Sequence, residues 1–301
     1  MTLHLPDIES LTDDNIKMIL DKAHDFAENG FKQTLKGKII FNLFLEDSTR
    51  TRMSFEVAAK RLGADVVNFN SGSSSMKKGE SDTDTFQTLN AYAPDALIIR
   101  SSDYNAPRFA MTQFDCPVIN AGDSWRAHPS QALLDALTLQ RHFGHDLTDK
   151  TIAICGDIAH SRVARSNYEL LSRLGLTIHI IAPELLMPKP TEFQAAKRFT
   201  SMDEGLKGVD AVMMLRIQKE RMNEGFSGDD HDFFIDYGLT QDRLSLCNTE
   251  SVVLHPGPMN RGVEIADDVA DDPKRSLILN QVTNGIPTRM AILDTLIIGS
   301  S

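Results

Sequence analysis

A run of hydroxyl and guanidinium side chains follows an apolar segment near the start of the chain. The run is Ser48-Thr49-Arg50-Thr51-Arg52, and the apolar segment before it covers residues 39–45. Where a buried strand leads into a helix, the first backbone N–H groups have no partner within the helix, and the helix dipole favours negative charge. Hydroxyls add donors, and a guanidinium holds two phosphate oxygens at once. An ordinary N-cap with solvated arginines is the alternative, but five such residues in succession favour a phosphate-binding site.

Further polar groups follow predicted strands in the first half. Arg100 ends an apolar stretch, so we expect it at the carboxyl end of a strand. His128 stands just before a predicted apolar helix, where an imidazole can donate to a carbonyl oxygen that gains charge during acyl transfer. Helix capping by Ser130 or Gln131 would not require this histidine. The Gly/Ser-rich segment 71–81 is either a solvent loop or, through two adjacent lysines, a loop that orders over a phosphate.

The second half places groups suited to a carboxylate after its strands. Arg162 and Arg165 lie at a predicted helix start, and the glycine fingerprint of dinucleotide-binding folds is absent there. Arg216 ends another predicted strand and is followed by Gln218. His-Pro-Gly-Pro at 255–258 fixes a backbone path that can offer carbonyl oxygens to an N–H donor, although a purely structural turn is the default interpretation of this motif alone.

Short apolar runs alternate with helix-like segments along the chain, which predicts the α/β class with parallel sheets flanked by helices. Strands are predicted near 38–45, 65–69, 96–100, 117–120, 151–155, 176–181, 210–215 and 251–254. Helices are predicted near 12–28, 50–62, 82–92, 104–113, 130–143, 160–173 and 191–198, with shorter ones around 229–245. We expect two domains of similar size, residues 1–143 and 144–285, with a C-terminal helix (286–301) packing back on the first. Ligands bind at the carboxyl ends of such strands.

Composition narrows the class of protein. A chain of 301 residues, 41% hydrophobic and 24% charged, is typical of two globular domains. No apolar run approaches the ~20 residues that span a bilayer, and no secretory signal is visible, so we expect a cytoplasmic protein. The three scattered cysteines are typical of reduced core residues. A net charge of −11 argues against nucleic acid or an anionic membrane as partner, so we expect the basic residues that bind an anion to be concentrated in a cleft.

Four motifs, in order and across nearly the whole chain, resemble the transcarbamoylase family. Ser-Thr-Arg-Thr-Arg at 48–52 and His-Pro-Ser-Gln at 128–131 are similar to the family in general. Leu-Arg-Ile-Gln-Lys-Glu-Arg at 215–221 and His-Pro-Gly-Pro at 255–258 resemble its aspartate branch. Ser130 departs from the family, where threonine is common, but it keeps the hydroxyl.

The resemblance implies transfer of the carbamoyl group of carbamoyl phosphate to the α-amine of L-aspartate by direct attack, without a metal or an organic cofactor. It implies that Thr51, Arg100 and His128 are catalytic, because they hold the carbamoyl oxygen. The implied carbamoyl phosphate-binding residues are Ser48, Thr49, Arg50, Thr51, Ser74, Lys78, Arg100, His128, Gln131, Gly257 and Pro258. The implied aspartate-binding residues are Lys78, Arg162, Arg216 and Gln218.

The resemblance also bears on partners. Ser74 and Lys78 match a family loop that reaches into the neighbouring subunit's site, which implies a homotrimer with shared active sites. Whether regulatory or dihydroorotase-like chains bind stays open. Two alternatives are an ornithine-type transcarbamoylase and a homologue without activity. Arg216 favours an acidic amine substrate, and the presence of Arg50, Lys78, Arg100 and His128 favours an active enzyme.

Overall fold

A computed structural model of the chain describes residues 2–70, 81–217 and 230–299. In chain order the strands are β1 Ile39–Phe44, β2 Asp65–Asn70, β3 Ala96–Ser101, β4 Val118–Asp123, β5 Thr151–Cys155, β6 Thr177–Ile181, β7 Lys197–Phe199, β8 Ala211–Met214 and β9 Val252–Leu254. The helices are α1 Asp13–Glu28, α2 Thr49–Arg61, α3 Asp82–Ala91, α4 Ala106–Met111, α5 Pro129–Phe143, α6 Arg162–Arg173, α7 Met202–Gly205, α8 Asp230–Tyr237, α9 Gln241–Leu244, α10 Asp267–Ala270 and α11 Ile278–Ile298, with a 3-10 helix at Glu184–Leu186. The predicted α/β class with two parallel sheets is confirmed.

The chain forms two compact units. The first comprises Met1–Leu137 together with Thr283–Ser301, and the second comprises Thr138–Val282. No helix in the described ranges is both long and apolar enough to cross a membrane.

The sheet of the first unit has four parallel strands in the order β2-β1-β3-β4. All six residues of β3 are buried, as expected for a central parallel strand that is covered on both faces. The chain order reverses between β1 and β3, so these two neighbours are the topological switch point at which α/β sheets bind ligands. The register pairs Phe44 with Arg100, and the backbone N–H of Leu45 donates to the carbonyl of Arg100 at 2.8 Å. The turn after β1 therefore leaves the sheet beside Arg100.

The sheet of the second unit has five parallel strands in the order β7-β6-β5-β8-β9, and its switch point lies between β5 and β8. The carboxyl ends of β5 and β8 approach closely at Gly156, whose φ is +119°. A Cβ atom at Gly156 would lie 2.4 Å from the carbonyl oxygen of Leu215. Only glycine fits at this position, for both backbone conformation and space.

The cysteines belong to the apolar cores. Cys116, Cys155 and Cys247 are free and buried. Burial raises the pKa of Cys116 to about 12 and that of Cys247 to about 11, so both are neutral thiols at physiological pH.

One predicted helix is absent. The segment predicted as helical at 191–198 forms turns followed by the edge strand β7, which pairs in parallel with β6. The guanidinium of Arg198 donates to the backbone carbonyls of Pro188 (2.7 Å), Lys189 (2.8 Å) and Glu192 (2.5 Å). Those bonds hold residues 188–192 in turns around the Arg198 side chain, and the segment therefore does not form a helix.

Candidate active site

The connection from β1 to α2 forms the first part of the candidate site. Ser48 occupies the N-cap position with extended backbone, but its side chain makes no capping hydrogen bond. The interpretation of Ser48 as an ordinary side-chain cap is therefore wrong. Thr51 is 6% exposed, whereas Thr49 and Arg50 lie at the exposed start of the helix. The helix start keeps its partial positive charge next to three hydroxyl groups, which suits an anion.

Arg100, at the end of β3, is held toward this connection. Its side chain is nearly buried, and its Nη1 donates to the carbonyl of Ala121 at 3.2 Å. Its Nη2 lies 3.3 Å from Oε1 of Glu46, in the turn that leads to Ser48. A guanidinium fixed from two sides is oriented before any ligand arrives, which is what stabilisation of a developing charge requires.

His128 lies where α5 begins. It is 5% exposed, and its backbone carbonyl accepts the N–H of Gln131 at 3.0 Å. The connection from β4 to His128 is tight: the N–H of Asp123 donates to the carbonyl of Ala127 at 3.0 Å. The N–H of Ser124 donates to the carbonyl of Ser101 at 2.9 Å, so the connection is joined to the residue that follows Arg100.

A buried ion network supports the same connection. The Nε of Arg126 donates to Asp123 at 2.7 Å, and both of its terminal nitrogens lie 2.9 Å from Oδ2 of Asp7. Arg108 also donates to Oδ2 of Asp7, at 2.6 Å. Asp7 and Asp123 are almost completely buried. Through this network the N-terminal segment fixes the backbone that leads to His128.

Gln131 lies in the first turn of α5 and is 7% exposed. Its Nε2 donates to Oδ1 of Asp135 at 2.9 Å, one helical turn further along. The first unit thus places Ser48–Thr51, Arg100, His128 and Gln131 on the segments that follow β1, β3 and β4, at one edge of its sheet.

In the second unit, Arg162 and Arg216 follow the two neighbouring strands of the switch point. Arg162 is the first residue of α6 and is 8% exposed, and the hydroxyl of Ser161 caps this helix by accepting the N–H of Ala164 at 3.1 Å. Arg216 is half-buried, two residues beyond the end of β8. Two guanidinium groups at adjacent strand ends suit a substrate with carboxylates.

Arg165 has a different role from the one predicted. Its Nη1 donates to Glu192 at 2.7 Å and its Nη2 donates to the carbonyl of Ala159 at 2.9 Å. It also stacks over the Phe193 ring at 5.7 Å. These contacts make Arg165 a structural residue of the second unit.

The His-Pro-Gly-Pro segment is held by a carboxylate. The Nδ1 of His255 accepts the N–H of Gly257 at 2.8 Å, and its Nε2 lies 3.0 Å from Oε1 of Glu264. Since Nδ1 accepts a hydrogen bond, the ring N–H is on Nε2, and this N–H donates a hydrogen bond to Glu264. Gly257 has a φ of +65° and its bond to Pro258 is cis. The side chains of His255 and Glu264 are both buried. Through His255, this buried pair holds the backbone at Gly257 and Pro258 in place.

Three predicted site residues, Ser74, Lys78 and Gln218, lie outside the described residues. Three carboxylates that contact site residues or their supports were not predicted from the sequence: Glu46, Asp135 and Glu264. Asp135 had a signal in the sequence, because it lies four residues after Gln131 and is flanked on both sides by apolar residues of the helix.

Comparisons with known proteins cover nearly the whole chain. A family model for the aspartate/ornithine carbamoyltransferase carbamoyl-P binding domain matches residues 3–141, and one for the Asp/Orn binding domain matches residues 148–296. The aspartate carbamoyltransferase catalytic subunit of Granulibacter bethesdensis is 49% identical over 97% of this chain and 94% of its own length. That of Agrobacterium fabrum is 46% identical over 99% of this chain and 96% of its own length.

Solved structures have the same fold. Aspartate transcarbamoylase from Trypanosoma cruzi, in complex with carbamoyl aspartate and phosphate, has a TM-score of 0.83 at 30% identity, covering 96% of this chain and 94% of that chain. Ornithine carbamoyltransferase from Thermus thermophilus has a TM-score of 0.87 at 27% identity, with 98% of both chains covered. Enzymes for two different amines share this fold, so residues, and not the fold, decide which amine is used.

Proposed function

The chain belongs to the aspartate/ornithine carbamoyltransferase family, and we propose that it transfers the carbamoyl group of carbamoyl phosphate to the α-amine of L-aspartate. The products are N-carbamoyl-L-aspartate and phosphate, a step of de novo pyrimidine synthesis. The strongest support comes from curated relatives that are 45–49% identical over almost the full chain and are named aspartate carbamoyltransferase catalytic subunits.

The residues at the strand ends support the choice of amine. In the second unit, Arg162 and Arg216 follow β5 and β8, the two strands of the switch point. Guanidinium groups there favour a dicarboxylate such as aspartate, because the side chain of ornithine is cationic and would be repelled. The ornithine-type alternative is therefore disfavoured by charge at this edge of the sheet.

The residues of the first unit suit the other substrate. We propose that the phosphate of carbamoyl phosphate binds Ser48, Thr49, Arg50 and Thr51 at the start of α2. Thr51, Arg100 and His128 donate to the carbamoyl oxygen, and Gln131 accepts from the carbamoyl amino group. Gly257 and Pro258 offer carbonyls to N–H groups of the substrates. Each oxyanion donor is expected to contribute about 3 kcal/mol of transition-state stabilisation.

The proposed reaction is direct. The uncharged α-amine of aspartate attacks the carbamoyl carbon, and the carbonyl electrons move to the oxygen held by Thr51, Arg100 and His128. As the tetrahedral intermediate collapses, the C–O bond to phosphate breaks and phosphate leaves toward the Ser48–Thr51 segment. The leaving phosphate accepts the proton that the amine loses. No covalent bond to the protein forms, so no side chain is needed as a nucleophile. Because the phosphate takes the proton, no side chain is needed as a general base.

We also propose a cytoplasmic homotrimer in which Ser74 and Lys78 complete the site of the neighbouring subunit. This proposal rests on the resemblance of those residues to the family's loop. Lys78 would contact both substrates, and Gln218 would assist Arg162 and Arg216 in binding aspartate.

Steady-state kinetics of two variants test the assignment of substrates. Arg216→Ala should raise the KM for aspartate by at least tenfold with a much smaller change in the KM for carbamoyl phosphate, because a charge-assisted contact contributes about 1.5–3 kcal/mol. Arg50→Ala should abolish measurable binding of carbamoyl phosphate. Arg61→Ala on the exposed end of α2 and Arg173→Ala on the exposed end of α6 are matched controls and should behave as wild type. An unchanged aspartate KM in Arg216→Ala, or carbamoylation of ornithine instead of aspartate, would refute the proposal.

A further inference from the structure

Helix α5 carries a buried carboxylate in direct contact with a proposed substrate-binding amide. Asp135 is fully buried, and its Oδ1 accepts from Nε2 of Gln131 at 2.9 Å. The residues between them, 132–134, are apolar and buried. A carboxylate within an apolar helix is costly unless it is paired, so its contact with Gln131 calls for a functional or structural reason.

The contact fixes which way round the Gln131 amide lies. An ionised carboxylate has only acceptor atoms, so Gln131 must present its NH2 group to Asp135. Its Oε1 is then directed away from Asp135 and is the end of the amide left to meet a substrate. Without such a partner, the two ends of a glutamine amide are nearly equal in size and either can face a ligand.

A buried arginine supplies the opposite charge. Arg289 in α11 is 4% exposed, and its Nη1 donates to Oγ of Ser54 at 2.9 Å and to the carbonyl of Gly285 at 3.2 Å. Its guanidinium lies 5.0 Å from the centre of the Phe55 ring. Burial lowers the pKa of Arg289 to about 10, and the charge of Asp135 acts in the opposite direction. Arg289 is therefore cationic at neutral pH, and it favours the ionised form of Asp135.

We propose that Asp135, with its charge balanced by Arg289, is a positioning residue that directs Oε1 of Gln131 toward the substrate and so selects acyl phosphates whose carbonyl carries an N–H donor. This inference rests on the proposed function. The amino group of carbamoyl phosphate donates to Oε1, whereas acetyl phosphate has a methyl group in that place and leaves Oε1 without a partner. A site built to accept a hydrogen bond rejects the analogue that cannot donate it.

The test is the ratio of dissociation constants for acetyl phosphate and carbamoyl phosphate, measured by calorimetry on the full-length protein. Asp135→Asn keeps the shape of the side chain, but it can offer its own NH2 group and turn the Gln131 amide around. We expect the ratio to fall about tenfold, which corresponds to ~1.4 kcal/mol. Gln131→Ala should lower the ratio at least as much. Gln140→Ala, which removes another buried amide of α5, should leave it unchanged.

A double variant separates positioning from general damage to the helix. In the Gln131→Ala background, Asp135→Asn should produce no further change in the ratio, because there is no amide left to orient. An equal fall in both backgrounds would overturn the inference, and so would an unchanged ratio in Asp135→Asn alone. If Asp135→Asn does not fold, Asp135→Ala replaces it, and the same comparison applies.

The failure of this inference differs from the failure of the proposed function. If wild-type protein forms carbamoylaspartate and Gln131→Ala lowers the ratio while Asp135→Asn does not, only the positioning role is wrong. If Gln131→Ala leaves the ratio unchanged, both the role of Gln131 and the inference are wrong. A wild-type protein that forms no carbamoylaspartate overturns the proposed function itself.

Discussion

Single carboxylates hold the groups that the motifs of this chain supply, and Glu264 is the clearest example. Its Oε1 accepts from Nε2 of His255 at 3.0 Å and from the backbone N–H of Asn260 at 2.5 Å. His255 in turn accepts the N–H of Gly257. One buried side chain therefore determines the path of the segment that contains Gly257 and Pro258.

Two replacements of Glu264 test whether its hydrogen-bond acceptor oxygen is what holds this segment. Glu264→Gln retains an oxygen that can accept from both donors, so we expect nearly normal folding and a modest change in activity. Glu264→Ala leaves the buried Nε2–H of His255 and the backbone N–H of Asn260 without their acceptor. The loss at the buried group alone costs about 1–3 kcal/mol. We expect a lower melting temperature and at least a tenfold loss of kcat/KM.

Thermal unfolding and steady-state kinetics of the two Glu264 variants check this prediction side by side. Asp267→Ala, an exposed acidic residue nearby in the chain, is the control for removal of a negative charge. Equal behaviour of Glu264→Gln and Glu264→Ala would show that the acceptor is not what Glu264 contributes.

At the scale of elements, the connection between β4 and α5 depends on Asp7. Burial alone would raise the pKa of Asp7, but hydrogen bonds from Ser10, Arg108 and Arg126 outweigh it and lower the pKa below the usual 3.8. A carboxyl with a lowered pKa in the folded state contributes stability above its unfolded pKa. That contribution is lost as the pH falls through the lower, folded value.

We therefore expect Asp7→Asn to destabilise the protein at neutral pH by about 2 kcal/mol. This is less than the ~3–5 kcal/mol typical of fully buried pairs, because Arg108 is 40% exposed. Urea unfolding from pH 7 to pH 3 measures it: the difference between wild type and Asp7→Asn should shrink at the acid end. A difference that stays constant over this range would show that the charge of Asp7 is not involved. Asp13→Asn, at the exposed start of α1, is the control.

Most regular elements of this chain were predictable, because most of them follow a local pattern of apolar residues. Every strand predicted from an apolar run is present, and most helices match to within a few residues. The end of the chain shows where local pattern misleads: Gly285 and Pro287 are typical of a helix boundary, but α11 begins at Ile278 and continues through both. The guanidinium of Arg289 lies where a side chain at position 285 would be, since its Nη1 is 2.6 Å from a Cβ placed at Gly285. The close approach of Arg289, and not helix propensity, is therefore the reason that position 285 is occupied by glycine.

The candidate site divides in the same way. Residues that bind substrate in the proposal were predicted from motifs, because they stand in short polar runs at or soon after the ends of predicted strands. The carboxylates that orient them were not found, because nothing in a sequence pattern distinguishes an orienting carboxylate from a solvated one. Some of their contacts are local, as with Gln131 and Asp135, and others join distant parts of the chain, as with Asp7 and Arg126. The helix predicted at 191–198 is absent because Arg198 binds backbone carbonyls of the turn just before it, and apolar periodicity does not reveal such side-chain bonds.

At the scale of the whole molecule, the net charge of −11 does not prevent binding of anionic substrates. Local fields decide binding, and within each unit arginines follow the strands of the switch point. Acidic neighbours limit those local fields: Glu46 pairs with Arg100, and Glu192 pairs with Arg165. Carboxylates in this chain therefore orient cations as well as set its overall charge.

The proposed sharing of active sites between subunits predicts that two inactive variants restore each other. Arg50→Ala damages the chain that carries the phosphate-binding segment, and Lys78→Ala damages the contribution to the neighbouring site. In hybrid trimers formed at random from equal amounts, a site is intact when its own chain carries Arg50 and its neighbour carries Lys78. In a closed ring of three subunits, every trimer that contains both variants has one such site, about a third of its sites. Averaged over all trimers, including those made of a single variant, the intact fraction is roughly a quarter.

Co-expression of the two variants with different tags, followed by purification of the trimers that carry both tags, should recover about a third of wild-type activity per site. Hybrids of Arg50→Ala with Arg100→Ala are the matched control. Both changes lie on the same side of the proposed site, so every site in those hybrids contains one defect and no activity should return. If the Arg50→Ala and Lys78→Ala hybrids are as inactive as their parents, Lys78 does not act across a subunit boundary, and each chain supplies its own complete site.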